Sequence, residues 1–278
     1  MQNKRNIDAD RIVVKIGTST LIRHNSQANL QVIKQLAYAL STLRKAGKDV
    51  VLVSSGAIGV GMGVLGLNQR PHKVSEQQAV ASIGQTELMQ LYSKALQEYG
   101  MVAAQMLLTR DVTDYPESHT NVMNTFQELL ALPNAIPIIN ENDSVTVTEM
   151  DHHTKFGDND QLSAIVANLI DADLLIMLSD IDGFYNANPL KVPNAKLIDQ
   201  VHAIDPDIIE LAGGHGSKFG TGGMTTKLKA AKMILKHHQE MILANGKEPS
   251  IILNILAGDD VGTLFTNNVA SEGVESYD

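Results

Sequence analysis

Two lysines in this chain stand beside glycine-bearing loops that could grip an anion. Lys15 lies near the end of an apolar run, Val13-Val14-Lys15-Ile16, and Gly17-Thr18-Ser19-Thr20 follow it. Lys227 closes a glycine-rich stretch, Gly220-Thr221-Gly222-Gly223-Met224-Thr225-Thr226-Lys227, that leads into a helical pattern over Leu228 to His237. A buried ammonium without a partner is strongly unfavourable, so Lys15, near the end of an apolar strand, requires an anion nearby. Glycines that let backbone N–H groups approach an oxyanion, with hydroxyls and a lysine beside them, suit a phosphate clamp. For Lys15 the plainer alternative is a side chain snorkelling out of an edge strand.

A third cluster, Ser54-Ser55-Gly56-Ala57-Ile58-Gly59, joins a strand pattern to a helix start, where the backbone at Gly56 and Ala57 can turn N–H groups toward an anion. No G-x-G-x-x-G follows the first strand, and the loop before Lys227 lacks the G-x-x-x-x-G-K-[ST] spacing. The dinucleotide fingerprint is therefore missing from the first strand-helix turn, and the loop before Lys227 is not a P-loop. The acidic residues gather in Asn140-Glu141-Asn142-Asp143 and Gly157-Asp158-Asn159-Asp160. Taken singly, Asp158 or Asp160 reads as a helix N-cap. Beside two lysine loops, the same groups can hold Mg²⁺, orient the lysines or bind the ammonium of an amino acid. The pairs His152-His153 and His237-His238 are adjacent in sequence, so their rings diverge and make no metal site.

The elements that must position these groups alternate between short apolar runs and longer helical patterns. Strands are expected at Arg11 to Ile16, Val50 to Ser54, Val102 to Leu107, Ile136 to Asn140, Leu174 to Ser179 and Met241 to Ala244. Helices are expected over Asn29 to Ala46, Glu76 to Tyr99, Asn121 to Leu132, Gln161 to Ile170 and Thr225 to His237. The strands are apolar throughout rather than alternating, as in a parallel sheet buried on both faces. The fold class is therefore α/β, a three-layer sandwich around a mostly parallel central sheet, with ligands beyond the carboxyl ends of the strands. Thr146 to Phe156 reads as a hairpin and Asn186 to Gln200, with Pro189 and Pro193, as turns; either could form a lid.

A net charge of −9 argues against a nucleic-acid partner, which requires a basic surface. The absence of cysteine rules out disulfides and thiolate chemistry, and suits the cytoplasm. No apolar run is long enough for a leader or a membrane span. One domain over residues 1–266 is expected, with 267–278 as a polar, acidic tail.

The stretches VVKIGTST, SSGAIGVG, QMLLTRDV, INENDSV, FGDNDQLSA, LSDIDGFY, GTGGMTTKLKAA and VGTLF, in this order from Val13 to Phe265, resemble the glutamate 5-kinases of the amino-acid kinase superfamily. That resemblance implies the carbamate kinase-like fold and transfer of the ATP γ-phosphoryl group to the side-chain carboxylate of L-glutamate, the first step of proline synthesis. It implies that Lys15 and Lys227 assist transfer while Asp160 aligns them, and that Asp158 supports the substrate end. Glutamate would meet Ser55, Gly56, Ala57, Asp143 and Asn159. The nucleotide would meet Ser179, Asp180, Thr221, Gly222, Gly223, Met224, Thr225, Thr226 and both lysines, with Mg²⁺ carried mainly by ATP. Feedback by L-proline is a further implication, and an exposed apolar face on the helix over Glu76 to Tyr99 would favour a homodimer or homotetramer. A binding protein for ATP and an amino acid, or a kinase of another small acceptor, is the alternative.

The chain also departs from the commonest members. It carries no C-terminal PUA-type domain, Met150 to Lys155 looks expanded, and Ser54 and Ser179 stand where threonine is frequent.

Overall fold

The structure, a computed structural model, describes residues 4–23, 25–109, 111–145, 159–189, 191–212 and 223–268. In chain order the elements are β1 (Arg11–Ile16), α1 (Thr18–Leu21), α2 (Leu30–Lys45), β2 (Asp49–Val53), α3 (Ala57–Leu65), α4 (Val74–Gln97), β3 (Val102–Leu108), α5 (Asp111–Asp114), α6 (Pro116–Ala131) and β4 (Ala135–Glu141). They continue with α7 (Asn159–Leu169), β5 (Leu174–Ser179), β6 (Gln200–Val201), α8 (Pro206–Leu211), α9 (Met224–Lys236), β7 (Glu240–Asn245), α10 (Ile251–Leu256) and β8 (Thr263–Phe265). The expected hairpin at Thr146 to Phe156 and the tail beyond Asn268 lie outside the described residues.

The strands form one sheet in the order β3-β4-β2-β1-β5-β7-β8-β6. All the pairings are parallel except that of β7 with β8. The six expected strands are present, while β6 and β8 escaped the sequence reading. Two or three residues carry too little periodicity to be seen, and this pair exists only by docking on the sheet edge. The segment Asn186 to Gln200 is closed at its start by an antiparallel bridge between Tyr185 and Leu197. The base of this segment is tied down: the Ile198 N–H donates to the Phe184 carbonyl and the Phe184 N–H to the Thr263 hydroxyl, both at 2.8 Å.

Period-two geometry sorts the strand residues into two cores. Ile12, Val14, Ile16, Leu52 and Ile176 face α2, α4 and α10, whereas Val13, Val51, Leu175 and Met177 face α6, α7 and α9. Both faces are thus covered, and the helices complete the expected three-layer sandwich. Lys15 lies opposite Val53 on β2 and Met177 on β5, in register with the second of these layers.

Below the sheet, at its amino ends, Arg11 and Arg44 both hold the Asp49 carboxylate. Arg44 also donates to the carbonyls of Leu130 and Leu132, so it locks α2, β2 and the end of α6 together.

One packing contact bears directly on the site. Helices α3 and α4 cross so closely that a Cβ on Gly84 would stand 1.8 Å from the Ala57 carbonyl oxygen, and one on Gly61 would stand 2.1 Å from that of Val80. Only a hydrogen at these positions admits the neighbouring backbone. The outer face of α4 is largely polar. Ile83 is its one exposed large apolar side chain among the described residues, so the helix offers no broad apolar face. Gly84→Ala should lower stability by about 1–3 kcal/mol, as overpacking does. An unchanged urea midpoint would contradict the close crossing.

Candidate active site

Lys15 is the last but one residue of the central strand β1, and its side chain leaves on the face that Val13 shares with α7 and α9. Asp160 occupies the first turn of α7, and Lys227 the first turn of α9. Helices α7 and α9 pack against one another, which brings three distant positions to one point. Lys15 Nζ donates to Asp160 Oδ1 at 2.5 Å, and Lys227 Nζ to Asp160 Oδ2 at 3.2 Å. All three are buried, with Asp160 only 1% exposed.

Thr226 completes the arrangement, its hydroxyl lying 2.7 Å from Asp160 Oδ2 and 2.8 Å from the Gly223 carbonyl. A hydroxyl has one hydrogen, so it can donate to only one of these acceptors at a time. The sequence marked Thr226 as a nucleotide contact; its place on Asp160 was not foreseen, because the spacing of the loop says nothing of what packs beside it.

Burial pushes the Asp160 carboxyl up, but Lys15 and Lys227, with hydrogen bonds from Lys15 and Thr226, outweigh it and hold the group below its ordinary value. The carboxylate therefore stays ionised. Two lysines thus converge on one buried carboxylate, an arrangement that can present positive charge to a phosphate.

The end of β2 supplies the second wall. The Ser55 hydroxyl donates to the Ile16 carbonyl at 2.8 Å and accepts from Thr18 at 3.2 Å. Gly56, at a φ of 88°, turns the chain in the left-handed region so that Ala57 can open α3, whose first N–H groups have no side-chain cap. Ser54 meets the Tyr92 hydroxyl at 2.9 Å, and burial, only partly offset by this hydrogen bond, raises the Tyr92 phenol above its ordinary value. The Ser54 carbonyl accepts from Asn159 Nδ2 at 2.6 Å.

Asp143 follows the carboxyl end of β4 and lines a groove of about 890 Å³ between α4 and β3, together with Gln85, Glu141 and Ala57. Lys15, Asp160 and Lys227 do not line that groove. On the other side of β1, Ser179 ends β5 and Asp180 follows it, the Ser179 hydroxyl donating to Asp180 at 3.0 Å. Nearby, Asp182 accepts from Asn245 at 2.7 Å and from Tyr185 at 3.0 Å. Gly223, Met224 and Thr225 lie at the start of α9, whereas Asp158, Thr221 and Gly222 lie outside the described residues. Sequence reasoning missed Gln85 and Tyr92. Their signal was a polar or hydroxylated side chain on the apolar stripe of α4, among Ala81, Leu88 and Leu96.

Residues 10–245 match the amino acid kinase family. The chain is 57% identical over 265 residues to a glutamate 5-kinase of Enterococcus faecalis, covering 95% of this chain and 97% of that one. It is also 57% identical to a glutamate 5-kinase of Lactiplantibacillus plantarum, over 94% of this chain and 98% of that one. Its fold is similar to a T. acidophilum isopentenyl phosphate kinase (TM-score 0.62, 18% identity, 92% and 99% of the two chains). A Bacillus anthracis UMP kinase is comparably similar (TM-score 0.61, 13% identity, 94% and 97%).

The lysine pair makes Asp160 a determinant of stability as well as geometry. Its folded carboxyl lies below the ordinary value of 3.8, so the stability it contributes is fully present above that pH and is lost as pH falls through the folded value. Asp160→Asn, which strands two buried cations, should cost about 3–5 kcal/mol at pH 7. In urea titrations the gap to the unmodified protein should narrow below about pH 4. A gap that stays constant at acid pH would show that Asp160 is not the charged partner.

Proposed function

The chain belongs to the amino acid kinase family and, within it, to the glutamate 5-kinases, and on that footing we propose that Lys15, Asp160 and Lys227 form its phosphoryl-transfer centre. The enzyme transfers the γ-phosphoryl group of ATP to the side-chain carboxylate of glutamate. The observation that carries the assignment is the buried carboxylate shared by two lysines from opposite ends of the chain.

A glutamate side chain ionises at about pH 4.3, so at neutral pH it attacks the γ-phosphorus without a general base. The barrier is the approach of one anion to another. Lys15 and Lys227 lower it by offsetting the charge that spreads over the transferring oxygens. Asp160 takes no proton; held ionised, it keeps both ammonium groups aimed at one place.

Mg²⁺ fits this centre as a passenger on the nucleotide. Both oxygens of Asp160 are engaged by the lysines and Thr226, and among the described residues no group of three His, Cys, Asp or Glu could hold a metal. Bound to the phosphate oxygens, the ion would supply further positive charge at the transferring group.

In this reading Ser179, Asp180 and the segment Thr221 to Lys227 hold the nucleotide. Ser55, Gly56, Ala57, Asp143, Asp158 and Asn159 hold glutamate. The proline-synthesis step, restraint by proline and a cytoplasmic place belong to the same reading; among the described residues no helix is long and apolar enough to cross a membrane. A homodimer or homotetramer is supported by Val64, Leu65 and Leu67, exposed apolar side chains at the end of α3.

ADP release with ATP, Mg²⁺ and glutamate tests the assignment, with aspartate and N-acetylglutamate as competing acceptors. Lys227→Ala should lower kcat about 100-fold or more while changing the KM for glutamate much less. Unchanged turnover in that variant would remove Lys227 from the transfer step.

A further inference from the structure

Asn159 belongs to a chain of three amides whose shared contacts fix which atom of each donates and which accepts. The starting point is the backbone N–H of Glu141, which can only donate. It does so to Asn140 at 2.9 Å, which identifies the receiving atom as the side-chain oxygen Oδ1. The other end of Asn140 is then Nδ2, and it donates to Gln85 Oε1 at 2.8 Å. Asn159 touches two acceptors, Asn140 Oδ1 at 2.9 Å and the Ser54 carbonyl at 2.6 Å, so the atom it presents to both is Nδ2. An amide nitrogen carries two hydrogens, and both are committed. What remains for a ligand is Asn159 Oδ1, which takes no hydrogen bond among the described residues.

An acceptor-only group suits a cation such as an ammonium and is wrong for a carboxylate. Asn140 is 2% exposed, so its amide is poorly re-satisfied by water if its partner Gln85 is lost. Gln85 interrupts an otherwise apolar stripe on α4, where a purely structural helix would carry leucine or methionine.

We propose that Gln85 is a positioning residue for acceptor recognition: by holding Asn140 it fixes the amide of Asn159 with its oxygen as the group left for the ligand, so that the site reads the acceptor's α-ammonium. The inference rests on the glutamate reading above and deepens it. The α-ammonium is thereby separated from the carboxylate that reacts, and an acceptor of the same length lacking the amine leaves Asn159 Oδ1 unpaired. A site built around such a polar contact discriminates strongly against the analogue that lacks it.

The test compares glutamate with glutarate, which has both carboxylates and no amine, in the ADP-release assay. Glutarate is read as a substrate or, if it is not turned over, as a competitive inhibitor. In the unmodified protein glutamate should be strongly preferred. Gln85→Met, which keeps length and helix propensity but removes the acceptor, should reduce that preference about 10- to 100-fold, through kcat/KM for glutamate, with the KM for ATP little changed. Gln85→Glu restores an acceptor oxygen at the same place and should recover most of the preference. If Gln85→Met weakens both acceptors alike, or leaves their ratio unchanged, Gln85 only supports packing and the proposal is overturned. If the unmodified protein releases no ADP with glutamate, the acceptor assignment itself fails and this inference falls with it.

Discussion

A single carboxylate, Asp160, sits out of water between two ammonium groups, and much of the molecule can be understood as the means of keeping it there. Taking three charges into the interior is costly, and their mutual attraction offsets that cost only when the geometry is held closely. The central strand supplies one lysine, and the first turns of two adjacent helices supply the other two groups. Three elements far apart in sequence must dock correctly before any of the charges is satisfied. The cluster is thus a demand placed on the fold, which must bring all three groups together at once.

The second wall of the site depends on one long helix. Along α4, Gly84 admits the backbone of Ala57, Gln85 holds Asn140, and Tyr92 meets Ser54. These residues recur at intervals that place them on one helical face, and each contacts a different segment of the site's acceptor side. A shift of α4 by a fraction of an ångström would therefore move the start of α3, the end of β2 and the amide of Asn159 together. On the reading proposed above, the nucleotide side relies on other elements, the end of β5 and the start of α9. The two halves meet at Lys15, on the strand between β2 and β5.

Proteins that share this architecture carry names with unrelated acceptors, an isoprenoid phosphate in one and a nucleotide in another. The sheet and the helices that cover it accordingly do not choose the acceptor. That choice belongs to side chains at the strand ends, here the amides and hydroxyls around Ser54, Asn140 and Asn159. The reacting group is already an anion at neutral pH, so selection can be made at the amino end of the substrate without disturbing the chemistry at the other.

The α/β alternation, the long strands and helices, and the residue types of the site were legible in the sequence because local signals carry them. Apolar runs of strand length, helical periodicity and glycine loops beside lysines are readable wherever they occur. The short strands β6 and β8 were not, since two or three residues form a strand only against an edge that already exists. That Lys15 and Lys227 share Asp160 was implied only by the resemblance, and residue spacing could not reveal that Thr226 binds it or that Gln85 reaches Asn140 from 55 residues away. Residue types and spacing state which groups need a partner. Which partner each receives is decided when strands and helices pack, because burial removes water as the alternative and leaves only the groups that the tertiary structure brings within hydrogen-bond reach.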